Sequence, residues 1–169
     1  DALGIFGKND VYYATYFGIA DQYIAPAFKL YRNYDGTNKT FGSIGVASST
    51  TNNTLTSIYA SIDDNTANTM HVILINKNTV ATTAQIVISG TAIYTSISDA
   101  YGITEADGNN QITAKSKLNA TTSSTAITGN TLSYVMQPKA VYHLVLKTST
   151  ATSLIENKTQ TSFVLAPNP

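Results

Sequence analysis

Two histidines, His71 and His143, are the only imidazoles in the chain, so any triad built on a histidine base must use one of them. Each lies inside an apolar run, Met70-His71-Val72-Ile73-Leu74-Ile75 and Val141-Tyr142-His143-Leu144-Val145-Leu146, where a packed histidine is expected rather than the base of a nucleophile. Neither has a second histidine at the short spacing of a zinc site. Glycoside hydrolysis needs two carboxyl groups held at a set separation, one of them with a raised pKa. Only Glu105 and Glu156 are glutamates, and both fall in loop or linker sequence. Asp63, Asp64, Asp99 and Asp107 sit among turn formers, where aspartate usually shapes the backbone. Asp63-Asp64-Asn65 and Glu105-Ala106-Asp107-Gly108-Asn109 carry oxygen donors but lack the twelve-residue EF-hand pattern. Cysteine is absent, which removes disulfides and thiolate chemistry together. The residue types call for no catalytic centre, metal or cofactor.

The tyrosines leave one chemistry open. Planar rings stack on sugar faces, and a phenol adds a hydrogen bond. The chain has eleven tyrosines and no tryptophan. Tyr12, Tyr13, Tyr16, Phe17 and Tyr23 cluster near the start; most are expected in a core, with only those at the end of the run able to reach a ligand. Tyr59, Tyr94, Tyr101, Tyr134 and Tyr142 are scattered along later strands.

The surroundings of these residues are weakly charged. Ten basic and ten acidic side chains make up 12% of the 169 residues and form no basic cluster, so neither nucleic acid nor an anionic membrane is an expected partner. No run reaches the roughly 20 apolar residues of a membrane span. Abundant Thr, Ser, Asn and Tyr suit the solvent face of an antiparallel sheet. A start at Asp1 and an end at Ala166-Pro167-Asn168-Pro169 read as a piece of a larger protein.

Periodicity divides the chain near residue 36. Ala2, Leu3, Ile5 and Phe6 before Gly7 read as the end of an apolar helix. Val11-Tyr12-Tyr13-Ala14-Thr15-Tyr16-Phe17, between Asn9-Asp10 and Gly18, reads as a parallel strand covered on both faces. Pro26 to Asp35 reads as a helix, with Pro26 in its first turn and Gly36 as its stop; its stripe is Phe28, Tyr31 and Tyr34, or Ala27, Leu30, Tyr31 and Tyr34. One strand between two helices cannot bury its own faces, so this unit needs a sheet from elsewhere or must repack against the β region.

From Thr37 the period becomes two, and turn signals recur at the spacing of an antiparallel β-sandwich of about eight strands. Strands are expected at Phe41 to Ala47, Leu55 to Ile62, Met70 to Ile75, Thr83 to Ser89 and Ala92 to Ser98. Residues 99–125 read as loops with a short strand at Gln111 to Ala114. A closing hairpin comes next, from Leu132 to Met136 and from Val141 to Leu146, with Pro138 at its bend. Residues from Thr148 onward read as a linker.

A family resemblance adds to this. Asp1-Ala2-Leu3-Gly4-Ile5-Phe6-Gly7, Ala14-Thr15, the run from Ala27 to Gly36 (Ala-Phe-Lys-Leu-Tyr-Arg-Asn-Tyr-Asp-Gly) and Phe41-Gly42 together resemble the C-terminal part of glycoside hydrolase family 44. The match is close over the first third and agrees in pattern beyond it. It implies a strand-helix remnant of a (β/α)8 barrel over residues 1–36, with Val11 to Phe17 as the eighth strand and Pro26 to Asp35 as the eighth helix. It implies a β-sandwich over 37–147 and a linker over 148–169 toward a C-terminal sorting domain. It also implies that Tyr16, Phe17 and the loop to Tyr23 border the substrate cleft, because barrel sites lie at strand C-termini. The family's catalytic glutamates would lie upstream. The chain departs from the resemblance at Tyr16-Phe17, where a tryptophan is expected after the Ala-Thr pair.

The expected function is then a non-catalytic region of a secreted bacterial β-1,4-glucan hydrolase, bracing the catalytic barrel. The polysaccharide would be met through the parent enzyme. A carbohydrate-binding module is the alternative, and would require exposed aromatics on one sandwich face. A structural or adhesive sandwich of a cell-surface protein is a third reading. Ser162 to Pro169 resembles the start of a sorting domain of the type IX secretion route.

Overall fold

A computed structural model describes residues 1–18, 23–104 and 126–149, and the backbone of 163–167. Two helices, α1 (Ala2–Lys8) and α2 (Ile24–Arg32), precede nine strands: β1 (Ile44–Val46), β2 (Ser49–Thr50), β3 (Thr56–Ile62), β4 (Thr69–Asn76), β5 (Thr82–Ile88), β6 (Tyr94–Ile103), β7 (Thr131–Met136), β8 (Ala140–Thr148) and β9 (Phe163–Pro167). One sheet has the order β1-β3-β4-β8-β6 and the other β2-β9-β5-β7. The fold is mainly β, and its pairings are antiparallel except that of β2 with β9.

Alternation along β4 explains why all eight of its residues are buried. Met70, Val72 and Leu74 enter the core between the sheets, with Ile58, Ala60, Ile86, Leu132, Met136, Leu144 and Leu146. Ile73 and Ile75 point the opposite way and join Leu30, Tyr34, Tyr101, Ile103 and Val145 in a second core. Helix α2 therefore covers the outer face of the five-stranded sheet, and a strand with two covered faces needs apolar side chains at every position. Of the two candidate stripes, the one containing Ala27, Leu30, Tyr31 and Tyr34 faces this core, whereas Phe28 is exposed. The helix ends at Arg32, three residues short of the expected Asp35, and Tyr34 packs from the turn just beyond it.

Four expectations are corrected. Residues 11–17 form no strand, and Tyr12 and Phe17 are fully exposed. A parallel strand is held by ladder bonds to neighbours and by cover on both faces, and the described residues offer this segment no sheet to join. The run from Leu132 to Leu146 is not a hairpin. β7 pairs with β5, whereas β8 lies between β4 and β6 in the opposite sheet. The burial of each strand accounts for this: β7 alternates between buried and wetter positions, as an edge strand can, whereas β8 is buried on both faces and takes the interior of its sheet. The span 148–169 is not wholly a linker, because β9 pairs with β2 and β5. Finally, the alternation of Ile58, Ala60 and Ile62 with Ser57, Tyr59 and Ser61 predicts one core face and one wet face, yet Ser57 and Ser61 are buried. Gly42 passes so close to this face that a Cβ on it would lie 2.5 Å from the Ile62 carbonyl oxygen. The expected strand at Gln111 to Ala114 lies outside the described residues.

Two buried asparagines fasten the turns. The Asn76 amide nitrogen donates to the carbonyls of Val80 and Gln137, each at 2.9 Å, and its oxygen accepts from the Asn78 amide at 3.0 Å. The β4–β5 and β7–β8 turns are thereby tied together, and both of these connections cross between sheets. Asn130, at φ 58°, accepts from the Tyr94 amide at 2.8 Å and donates to the Ala92 carbonyl at 2.7 Å.

Candidate functional site

The three residues expected to meet substrate lie around the entry to α2. Tyr23 occupies the N-cap position of the helix, and Tyr16 and Phe17 precede it across residues 19–22, which lie outside the described set. All three are exposed: Tyr16 by 50%, Phe17 completely and Tyr23 by 44%. Gly18 takes φ 145°, a region open to glycine, and a Cβ on it would come within 2.9 Å of the Tyr16 hydroxyl. The phenol of Tyr16 thus folds back over its own chain, whereas Phe17 projects outward. Tyr12 and Tyr13, expected in a core, are exposed as well. The result is a run of aromatic faces with no carboxyl pair beside it among the described residues.

The sandwich tyrosines are placed differently. Tyr94, Tyr101, Tyr134 and Tyr142 are buried. Burial pushes the phenols of Tyr94 and Tyr134 up to about 12, with Tyr142 adding to the effect on Tyr134. The Tyr94 hydroxyl donates to the Ala67 carbonyl at 2.7 Å, and that of Tyr142 accepts from the Gln137 amide at 2.9 Å. Tyr59 is half-buried against α1. Its ring lies where a Cβ on Gly4 would approach within 2.3 Å, and its hydroxyl donates to Asp1 at 2.8 Å. Among these five, none offers the open aromatic platform that a glycan-binding sandwich face requires.

The histidines, far apart in the sequence, are brought together by the register of β4 against β8. His71 Nδ1 lies 2.9 Å from His143 Nε2, and His143 Nδ1 lies 2.7 Å from the Leu30 carbonyl oxygen. His71 Nε2 lies 2.8 Å from Asp63 Oδ1. Both rings are buried, and the edge of Tyr34 meets His143 at a centroid distance of 4.3 Å. Burial drives His143 down to about 3, the neighbouring His71 adding to it and the bond to Leu30 opposing it. Burial also lowers His71, against the upward pull of Asp63. A proton acceptor this deep, hydrogen-bonded at both nitrogens, is a structural link between helix and sheet rather than a base open to substrate. Sequence periodicity places each histidine in an apolar strand, but it carries no signal that the two would be adjacent, because the pairing of β4 with β8 spans more than half of the sandwich sequence.

The acids also have structural partners. Asp63 meets His71, and Asp64 accepts from the amide of Thr66 at 2.8 Å. Glu105, Asp107 and Glu156 lie outside the described residues.

The fold and site together define a two-sheet, mainly β protein with helix α2 packed on one outer face and exposed aromatic residues in the segment that precedes it. Comparison with known proteins makes the relationship particular. No family model matches the chain. Endoglucanase A of Paenibacillus lautus is 39% identical over 152 residues, which are 87% of this chain and 20% of that protein. A family 44 xyloglucanase of Paenibacillus polymyxa superposes with a TM-score of 0.70 at 35% identity, over 88% of this chain and 28% of that one. A family 44 endoglucanase of Clostridium thermocellum gives 0.70 at 31% identity, over 86% and 27%. The chain is a relative of the glycoside hydrolase family 44 endoglucanases and xyloglucanases, and its coverage is consistent with their C-terminal region. It spans only about a quarter of their length or less.

Proposed function

We propose that this chain is the non-catalytic C-terminal region of a secreted bacterial β-1,4-glucan hydrolase of the cellulase or xyloglucanase type, whose sandwich braces a catalytic (β/α)8 barrel. In this reading, residues 1–36 supply the last βα unit of the barrel, and the sandwich runs from residue 37. The observation that carries the reading is the contrast between the two sides of the N-terminal segment. Leu30 and Tyr34 are sealed into the sandwich core, whereas Tyr12, Tyr13, Phe17 and Phe28 are exposed. Four exposed large aromatics within one short N-terminal segment favour a surface that another body covers. A barrel whose eighth strand is Val11 to Phe17 would cover it and supply the missing ladder.

Tyr16, Phe17 and Tyr23 would then border the cleft as stacking and hydrogen-bonding contacts to the glucan, the barrel supplying the catalytic carboxyl groups. The polysaccharide is met through the parent enzyme and the barrel is an intramolecular partner. Export from the cell is required by the size of such a substrate, and no helix of the described residues is long and apolar enough to cross a membrane. Affinity electrophoresis tests the bracing role: the purified chain should run unretarded in gels containing xyloglucan or soluble cellulose derivatives. Retardation that survives alanine at Tyr16, Phe17 and Tyr23 would instead give the sandwich its own glycan site.

A further inference from the structure

From the Leu30 carbonyl through His143 and His71 to Asp63 there are three hydrogen-bonding contacts, of 2.7, 2.9 and 2.8 Å. Both ends of this chain are acceptors when Asp63 is ionised. Three contacts need three protons, and two neutral imidazoles bring two. One contact is then a lone pair facing a lone pair. At Leu30 or between the rings such a contact would be sealed from water, since the two histidines are only 1% and 0% exposed. The Asp63 side chain is 50% exposed and can turn to solvent. The protons therefore belong on Nδ1 of each ring, with the empty contact at Asp63.

The Leu30 carbonyl is one of the four at the C-terminus of α2 that have no partner within the helix. His143 caps it, and the Phe41 amide caps its neighbour Tyr31 at 2.7 Å. The sandwich thus terminates the helix, and what happens at His71 reaches α2 through one intervening ring.

We infer that Leu30, His143, His71 and Asp63 form a proton-dependent clasp between helix α2 and the loop after β3. With two protons the clasp holds the helix to the sheet and gives the Asp63 carboxylate no proton from His71, while the Asp63 carbonyl keeps its bond from Ser43 Oγ at 2.7 Å. A third, taken from solvent onto His71 Nε2, makes an imidazolium that donates to the Asp63 carboxylate and fixes that side chain against the sheet. No covalent bond other than this N–H forms.

The charged and titratable groups around the clasp act in both directions. Lys147 on β8 and Lys39 after α2 oppose the third proton on His71, and Asp63 favours it. Tyr34, packed on both rings, is itself faced by Asp35, Asp99 and Tyr101.

Nitrogen-15 NMR of the imidazoles in the 169-residue chain tests this. Both neutral rings should carry their proton on Nδ1, and on acidification His71 alone should gain a second. In Asp63→Asn the side-chain amide can donate to His71 Nε2 without any added proton. The His71 midpoint should then fall by about one pH unit or more, and the melting temperature at pH 7 should rise. Asp63→Ala, which cannot donate, should lower the midpoint without that rise. A neutral His71 protonated on Nε2, a midpoint unmoved by Asp63→Asn, or equal melting temperatures for the two variants would overturn the clasp.

Discussion

His143 Nδ1 donates to the Leu30 carbonyl across 2.7 Å, joining the interior of the five-stranded sheet to the last turn of α2. The other nitrogen of His143, Nε2, accepts from His71 Nδ1 only while the ring is neutral, and burial holds both His143 and His71 below the ordinary value of 6.5. Unfolding restores that value, so the unfolded chain binds more protons at acid pH. Stability from this pair is full above about pH 6.5 and is lost as pH falls toward the folded value of His143, about 3. Thermal melts between pH 7 and pH 4 should show falling midpoints, the stability dropping by up to about 1.4 kcal/mol per pH unit for each proton that the unfolded chain binds in excess. A flat profile would mean that the pair is charged or solvated in the folded state.

Leu30 is the buried anchor of the helix on the sheet. Leu30→Ala leaves a cavity among Ile73, Tyr101 and Val145, and an expected cost of about 2–5 kcal/mol. Hydrogen exchange should locate the damage. Amides of Ile24–Arg32 should lose protection before those of β4, whose opposite face still packs in the inter-sheet core.

Gly4 is buried in α1 under the Tyr59 ring, with no room for a methyl group. Gly4→Ala improves helix propensity, yet it must displace the ring and break the Tyr59 bond to Asp1. The clash outweighs the propensity gain of about 1 kcal/mol. Loss of amide protection over Ala2–Lys8, with the β-sheet signals unchanged, is the expected result.

Asn76→Ala removes the donor shared by the Val80 and Gln137 carbonyls and the acceptor for Asn78. Each buried group left unpaired costs about 1–3 kcal/mol. Urea denaturation should show the midpoint of this variant lower than that of a surface control such as Thr95→Ala.

Much of the sandwich is legible in the sequence because its strands alternate. β3, β4, β5, β7 and β8 fall within one or two residues of the runs read from Leu55, Met70, Thr83, Leu132 and Val141. What periodicity does not carry is the partner. A strand with two apolar faces can be covered by a second sheet on one side and a helix on the other, and β4 is covered in that way. The same limit hides the crossing between β7 and β8, since a tight turn containing Pro138 serves a hairpin and a sheet-to-sheet connection equally well. Val11 to Phe17 shows the same limit: its residues have strong strand preference, but without ladder partners among the described residues the segment stays open. Of the site residues, Tyr16, Phe17 and Tyr23 are singled out through family resemblance. The four-group chain through the histidines has no sequence signal because its members are brought together by register.

The most direct test of the bracing role is turnover on soluble β-glucan and xyloglucan, measured as reducing ends, by the purified 169-residue chain and by a parent protein carrying the upstream barrel. The parent should hydrolyse these substrates and the chain alone should release nothing above background. Sustained hydrolysis by the chain alone, abolished by substitutions within it, would contradict the account.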